Sequence, residues 1–118
     1  MVKKVITRPA KMLQVYVDET DMSGDLPLYE AIIQRLVHAG IAGATVNRGI
    51  MGYGTTHFVH RKRLLGVSDD KPVTISVIDE EEKIRGMLPE IMALVEDGPV
   101  LLLDVEVVTP TKRAEVNS

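Results

Sequence analysis

Gly40-Ile41-Ala42-Gly43-Ala44-Thr45-Val46-Asn47-Arg48-Gly49-Ile50-Met51-Gly52-Tyr53-Gly54 holds five of the nine glycines in this 118-residue chain. Glycine tolerates positive φ and lets backbone or ligand approach closely, so such a cluster between two periodic segments concentrates unusual backbone geometry. Gly40 reads as a helix stop and Gly43 as a strand start, with Ala44 to Arg48 extended. Gly49, Gly52 and Gly54 then bend the chain and offer N–H groups to an anion. Residue types alone also fit a bulged strand running into a turn, and loose glycine spacings do not choose between the two.

Upstream, Lys11 to Asp18 alternates Leu13, Val15 and Val17 with Met12, Gln14, Tyr16 and Asp18, the period-two pattern of a half-buried strand. Residues 1–10 ahead of it read as a tail. The acidic Asp18 to Asp25 segment is turn chemistry that could also touch a cation. A helix starts near Asp25 or Leu26, with Asp25 as cap and Pro27 in the first turn, and carries the stripe Tyr29, Ile32, Ile33, Leu36, Val37. His38 belongs to its solvated side. After the glycine cluster, the polar and basic segment to Asp70 gives no clear helix or strand.

Pro72 to Ile78 is a third strand, with Val73, Ile75 and Val77 on one face. Asp79 and Glu82 resemble a capping box, and the acidic Glu80 to Glu82 run suits a helix N-terminus. The stripe Ile84, Met87, Leu88, Ile91, Val95 makes that helix amphipathic, and Pro89 predicts a kink. Asp97-Gly98-Pro99 closes it. Val100 to Val108 is the last strand, with Leu101, Leu103, Val105 and Val107 facing one way, and residues 109–118 form a polar tail. The order strand, helix, strand, strand, helix, strand predicts an α+β ferredoxin-like βαββαβ fold over residues 11–108: a four-stranded antiparallel sheet with two helices on one face. The other face would carry Met12, Gln14, Tyr16, Thr74, Ser76, Ile78, Val100 and Leu102. That is less polar than a water-facing sheet, so a partner subunit, most simply a second copy, is expected to bury part of it.

Composition bounds the chemistry. Hydrophobic residues make up 45% and charged residues 26%, as in soluble globular domains. There is no cysteine, which excludes disulfides, thiolate catalysis and Cys-type zinc sites. No signal-like or membrane-spanning apolar run occurs, so the default location is cytoplasmic and no direct membrane insertion is expected. A net charge of −3, with one Phe and no Trp, argues against nucleic acid as a partner. The one clear basic cluster is His60-Arg61-Lys62-Arg63.

The run Gly43-Ala44-Thr45-Val46-Asn47-Arg48-Gly49-Ile50-Met51-Gly52-Tyr53-Gly54, preceded by Tyr29 to Gly40 and followed by Pro72 to Ile84, resembles an uncharacterised bacterial family of PII-like proteins (domain of unknown function 190). The resemblance runs from about Lys11 to Val108. It implies a non-enzymatic regulatory homotrimer whose open sheet faces meet around an axis and whose inter-subunit clefts bind a small anionic effector, with an adenine nucleotide the leading choice. Thr45, Asn47, Arg48, Gly49, Gly52, Tyr53 and Gly54 would form one wall of the cleft, and Asp97 and Gly98 of a neighbouring subunit the other. The segment Tyr53 to Asp70, with His57, His60, Arg61, Lys62 and Arg63, would be the loop that reports to a protein partner such as a membrane transporter or channel. Gly98 is followed by Pro99, where true PII proteins carry a lysine shortly after the glycine, so a phosphate clamp of that type is not implied.

Other readings use the histidines. An acid–base enzyme would rely on His57, oriented by Asp69, Asp70 or Asp79, but no spacing enforces their geometry. A trimeric ferredoxin-like metal binder would use His57 and His60 with Asp69 or Asp70, yet residues three apart diverge on a strand and a third fixed ligand is lacking. RNA recognition would use Gly52-Tyr53-Gly54, but the motif follows the wrong strand and only Tyr53 and Phe58 could stack. No catalytic residue, metal ligand or resident cofactor is assigned.

Overall fold

The computed structural model describes residues 4–52, 71–96 and 98–110. Strand β1 spans Val5–Asp18, and two short strands, β2 (Met22–Ser23) and β3 (Leu26–Pro27), pair with each other in the connection that follows. Helix α1 (Leu28–His38), strand β4 (Ala44–Arg48), strand β5 (Pro72–Asp79), helix α2 (Glu81–Leu94) and strand β6 (Val100–Pro110) complete the order. The main sheet is antiparallel with strand order β4-β5-β1-β6, the ferredoxin-like arrangement. Both helices cover one face.

That face is the core. Leu13, Val15 and Val17 of β1 and Val73, Ile75 and Val77 of β5 meet Leu28, Ile32 and Leu36 of α1 and Ile84, Met87 and Ile91 of α2. Burying each such side chain is worth roughly 1.5–3 kcal/mol, so this layer dominates the stability of the chain. In α1 the stripe is rotated from the expected one. Leu28 and Ala31 are buried with Ile32 and Leu36, whereas Val37 is 70% exposed.

Several boundaries differ from the sequence-based expectation. Strand β1 begins at Val5, and Val5 to Ala10, read above as tail, pair with Val105 to Pro110. Their composition hides this because Lys4, Arg8 and Pro9 interrupt the alternation. The helix α1 cap is Pro27 rather than Asp25, and the first helical N–H, of Leu28, donates instead to the Asp21 carbonyl at 2.7 Å. At its C-terminus Gly40 has φ of 76° and donates to Val37 O, while Ile41 donates to Leu36 O, a Schellman motif. Helix α2 runs without interruption through the exposed Pro89, and it ends at Leu94, ahead of Gly98. Glu80, not Asp79, occupies its cap position, so the expected capping box does not form.

The largest correction concerns β6. Leu13 pairs with Leu102, and Gln14 with Leu101, and directly opposed residues share a face. Val100 and Leu102 therefore pack toward the helices, while Leu101 and Leu103, each 40% exposed, lie on the open face. Val-Leu-Leu-Leu is apolar at both parities, so alternation could not choose. Only the pairing register does.

Candidate functional site

The predicted site residues on β4 divide between the two faces of the sheet. Thr45 pairs with Ser76 and Asn47 with Thr74, both on the open face, whereas Arg48 pairs with the buried Val73 and so stands on the helix side. Strand β4 is an edge strand, exposed along its whole length. Beside Thr45 and Asn47 the open face is polar. Gln14 Nε2 donates to Ser76 Oγ at 3.4 Å, and the Tyr16 hydroxyl donates to Gln14 Oε1 at 3.2 Å. Farther along the same face the row Ile78, Met12 and Leu103 is apolar. The face is therefore polar at the Arg48 end and apolar at the other.

The glycines act differently from the expectation. Among the described residues positive φ occurs only at Gly24, Gly40 and Gly98. Gly49 is required by close approach. A Cβ there would stand 2.8 Å from Pro72 Cγ, and at Gly52 it would stand 3.2 Å from the same atom. The Gly49 N–H donates to the Pro72 carbonyl at 2.6 Å, so it is already spent and does not point free at an anion. These contacts fasten the end of β4 to the start of β5 and fix where Arg48 emerges.

Arg48 does not stand alone: its Nη2 is 2.7 Å from Glu19 Oε2. Sequence reasoning missed Glu19, because the partnership exists only when β1 lies one strand from β4 across β5. Its sole signal was an acidic residue immediately after β1. Gly98, with φ of 98°, lies against β1, where a Cβ would be 2.4 Å from the Tyr16 carbonyl oxygen. Arg48 pairs with Val73, Val73 with Val17, and Tyr16 N–H donates to Pro99 O at 3.2 Å. Arg48 and Gly98 thus occupy the same end of the sheet at opposite edges, three strand spacings or roughly 14 Å apart. Within one chain they do not converge.

At the opposite end, Asp79 is 9% exposed and ties two junctions together. Its Oδ2 accepts from Ala42 N at 2.8 Å, its Oδ1 from Glu80 N at 2.7 Å, and Lys83 Nζ lies 3.8 Å away while donating to Gly40 O. Burial alone would raise its pKa, but the two backbone donors and the charges of Lys83 and Arg8 together hold it below the ordinary value of 3.8. Nearby, Lys11 bridges Asp104 and Glu81, and the Arg85 and Lys11 contacts lower the Glu81 carboxyl. These groups are engaged with one another. Among the described residues, Asp79 ties the chain that follows α1 to the start of α2.

Tyr53, Gly54, His57, His60, Arg61, Lys62, Arg63, Asp69, Asp70 and Asp97 lie outside the described residues. Among the described residues, no three His, Asp or Glu gather as a metal site, and no helix is long and apolar enough to cross a membrane.

Residues 10–107 match the profile of the family described as "Uncharacterized ACR, COG1993", DUF190. The chain belongs to the DUF190 family. The DUF190 chain is 37% identical over 98 residues to a UPF0166 protein of Aquifex aeolicus, covering 83% of this chain and 92% of that one. It is 36% identical over 95 residues to a UPF0166 protein of Methanocaldococcus jannaschii, covering 80% and 86%. Among solved structures it is similar in fold to the apo form of CPII, a nitrogen regulatory PII-like protein from Thiomonas intermedia, with a TM-score of 0.59 at 21% identity, covering 91% of this chain and 100% of that one. The same CPII bound to ADP, AMP and acetate gives a TM-score of 0.57 at 23% identity, covering 86% and 91%. A putative PII-like signalling protein from Thermus thermophilus gives 0.53 at 14%, covering 87% and 90%. The DUF190 fold is therefore PII-like.

Proposed function

We propose that this chain is a PII-like regulatory protein that binds a small anionic effector, an adenine nucleotide, at clefts between the subunits of a cytoplasmic homotrimer. The observation that carries the reading is the placement of Arg48 and Gly98 at one end of the sheet but on opposite edges. One chain cannot close a cleft between them, whereas neighbouring copies set edge to edge can. Arg48 supplies a planar guanidinium suited to a phosphate or carboxylate. Thr45 and Asn47 line the open-face side, Gly49 and Gly52 shape the wall, and Tyr53, Gly54 and the neighbour's Asp97 and Gly98 complete it. The ADP and AMP bound to the fold neighbour support an adenine nucleotide as the effector. Residues 53–70, with His57, His60, Arg61, Lys62 and Arg63, would carry the signal to a protein partner such as a membrane transporter or channel.

Light scattering on the purified protein, combined with calorimetric titration of ADP, tests the reading. A mass three times that of the chain and an Arg48-dependent ADP affinity are expected, with Arg48→Ala weakening binding at least about tenfold, as for loss of a charge-assisted contact. A monomer, or a trimer whose Arg48→Ala variant binds ADP as tightly as the parent, would overturn it.

A further inference from the structure

We infer that Glu19 sets the affinity and selectivity of the Arg48 site by competing, from within the chain, for the same guanidinium. The inference rests on the proposal that Arg48 receives the effector's anionic group.

The main chain that carries Glu19 is held in place. Its N–H donates to the Lys71 carbonyl at 2.9 Å. The preceding Asp18 is buried, and its Oδ1 accepts from the Thr20 N–H at 3.0 Å and the Thr20 hydroxyl at 3.1 Å. The carboxylate is delivered by the turn that follows a central strand, and its side chain is only 24% exposed. Arg48 comes from an edge strand and its side chain is 61% exposed, so among the described residues one nitrogen of its fork is taken and much of the side chain stays accessible. Glu19 therefore balances the charge of Arg48 without closing access to it.

An arriving anion must either displace this carboxylate or sit beside it and bear the repulsion. Both routes lower its affinity. A monocarboxylate offers Arg48 nothing that Glu19 does not already supply from a pre-positioned tether. A phosphate or pyrophosphate group brings more charge and more acceptor oxygens to the same fork, so it wins where a monocarboxylate does not. Glu19 thus acts as a threshold that favours phosphate-bearing effectors. An ion pair at such a partly exposed position shifts an equilibrium by about two- to fivefold, which makes it a tuning contact and not a block.

The test is calorimetric titration of ADP, inorganic pyrophosphate and acetate into the full-length parent, Glu19→Gln, Arg48→Ala and the double variant. Glutamine keeps the shape of the side chain and the Lys71 contact is made by backbone, so the thermal midpoint of Glu19→Gln should stay near that of the parent. The expected result is that Glu19→Gln binds ADP and pyrophosphate about two- to fivefold tighter, gains proportionally more for acetate, and loses these gains in the Arg48→Ala background. If Arg48→Ala abolishes binding while Glu19→Gln leaves every affinity unchanged, the competitor role is overturned and the anion site stands. If the gain persists without Arg48, Glu19 acts by general repulsion and the inference falls. If none of the four proteins binds any probe, the anion site and its competitor fall together.

Discussion

Gly98 and Gly40 both adopt positive φ, yet their surroundings differ, and so do the consequences of replacing them. At Gly40 a Cβ would meet open space, so Gly40→Ala costs only the left-handed strain, about 1 kcal/mol. At Gly98 the same strain is joined by a 2.4 Å approach to the Tyr16 carbonyl oxygen, which is backbone and cannot swing aside. Gly98→Ala is expected to destabilise the chain by more than about 2 kcal/mol, measured by denaturant unfolding. Asp79 makes a different prediction. Its folded pKa lies below the ordinary 3.8, so on acidification the unfolded chain takes up protons first. Its contribution to stability is complete above that value and is lost as the pH falls through the lower folded value. Asp79→Asn would leave one of two backbone donors facing an amide N–H, at a cost of about 1–3 kcal/mol. It would also flatten the acid limb of a stability-against-pH curve. An unchanged acid limb would show that the Ala42 and Glu80 contacts do not depend on the charge.

At the scale of the element, β6 is the most informative strand. Its two apolar faces do different work: Leu102 packs against the core, while Leu101 and Leu103 stand on the open sheet face. Leu102→Ala should lower unfolding stability by about 1–3 kcal/mol, the cost of truncating a partly buried leucine. Leu101→Lys and Leu103→Lys should leave the unfolding of an isolated subunit nearly unchanged and act on subunit association, read as a fall in mass by light scattering. The reverse pattern would put Leu101 and Leu103 on the helix side and overturn the register with β1. Helix α2 is one element across Pro89, as its apolar stripe predicts. Pro89 removes a backbone donor, but it lies on the exposed side while Ile84, Met87 and Ile91 are buried against the sheet, and the helix continues through it.

Across the whole molecule the sheet is not uniform. Strand β5 begins to pair with β1 only at Lys11, so among the described residues Val5 to Ala10 and Val105 to Pro110 form a ribbon with no third strand. Such a ribbon is marginal by itself, and it exposes Val5, Ile6 and Val108. In an isolated subunit its amides should exchange with solvent far faster than those of Leu13 to Val17, which hydrogen-exchange mass spectrometry would resolve. Protection of the ribbon equal to that of the central strands would mean that something covers it in solution. The open face points the same way. Its apolar end at Ile78, Met12 and Leu103 suits contact with another chain, and its polar end is the end of the sheet at which Arg48 emerges on the opposite face.

Local periodicity, backbone chemistry and a continuous run of matching residues were enough to read the order of the four main strands and two helices, the alternating faces of β1 and β5, the Gly40 helix stop and the family, though not the β2–β3 pairing. The sequence did not determine which leucines of β6 face the core, since an all-apolar run carries no parity. Nor could it place Glu19 on Arg48 or Gly98 across the sheet from Arg48, since those positions follow from strand order. It assigned anion contact to Gly49, whose N–H the fold gives to Pro72. These points follow from strand order and register, which bring together residues far apart in the chain, and only that pairing fixes which donors and charges remain for a ligand.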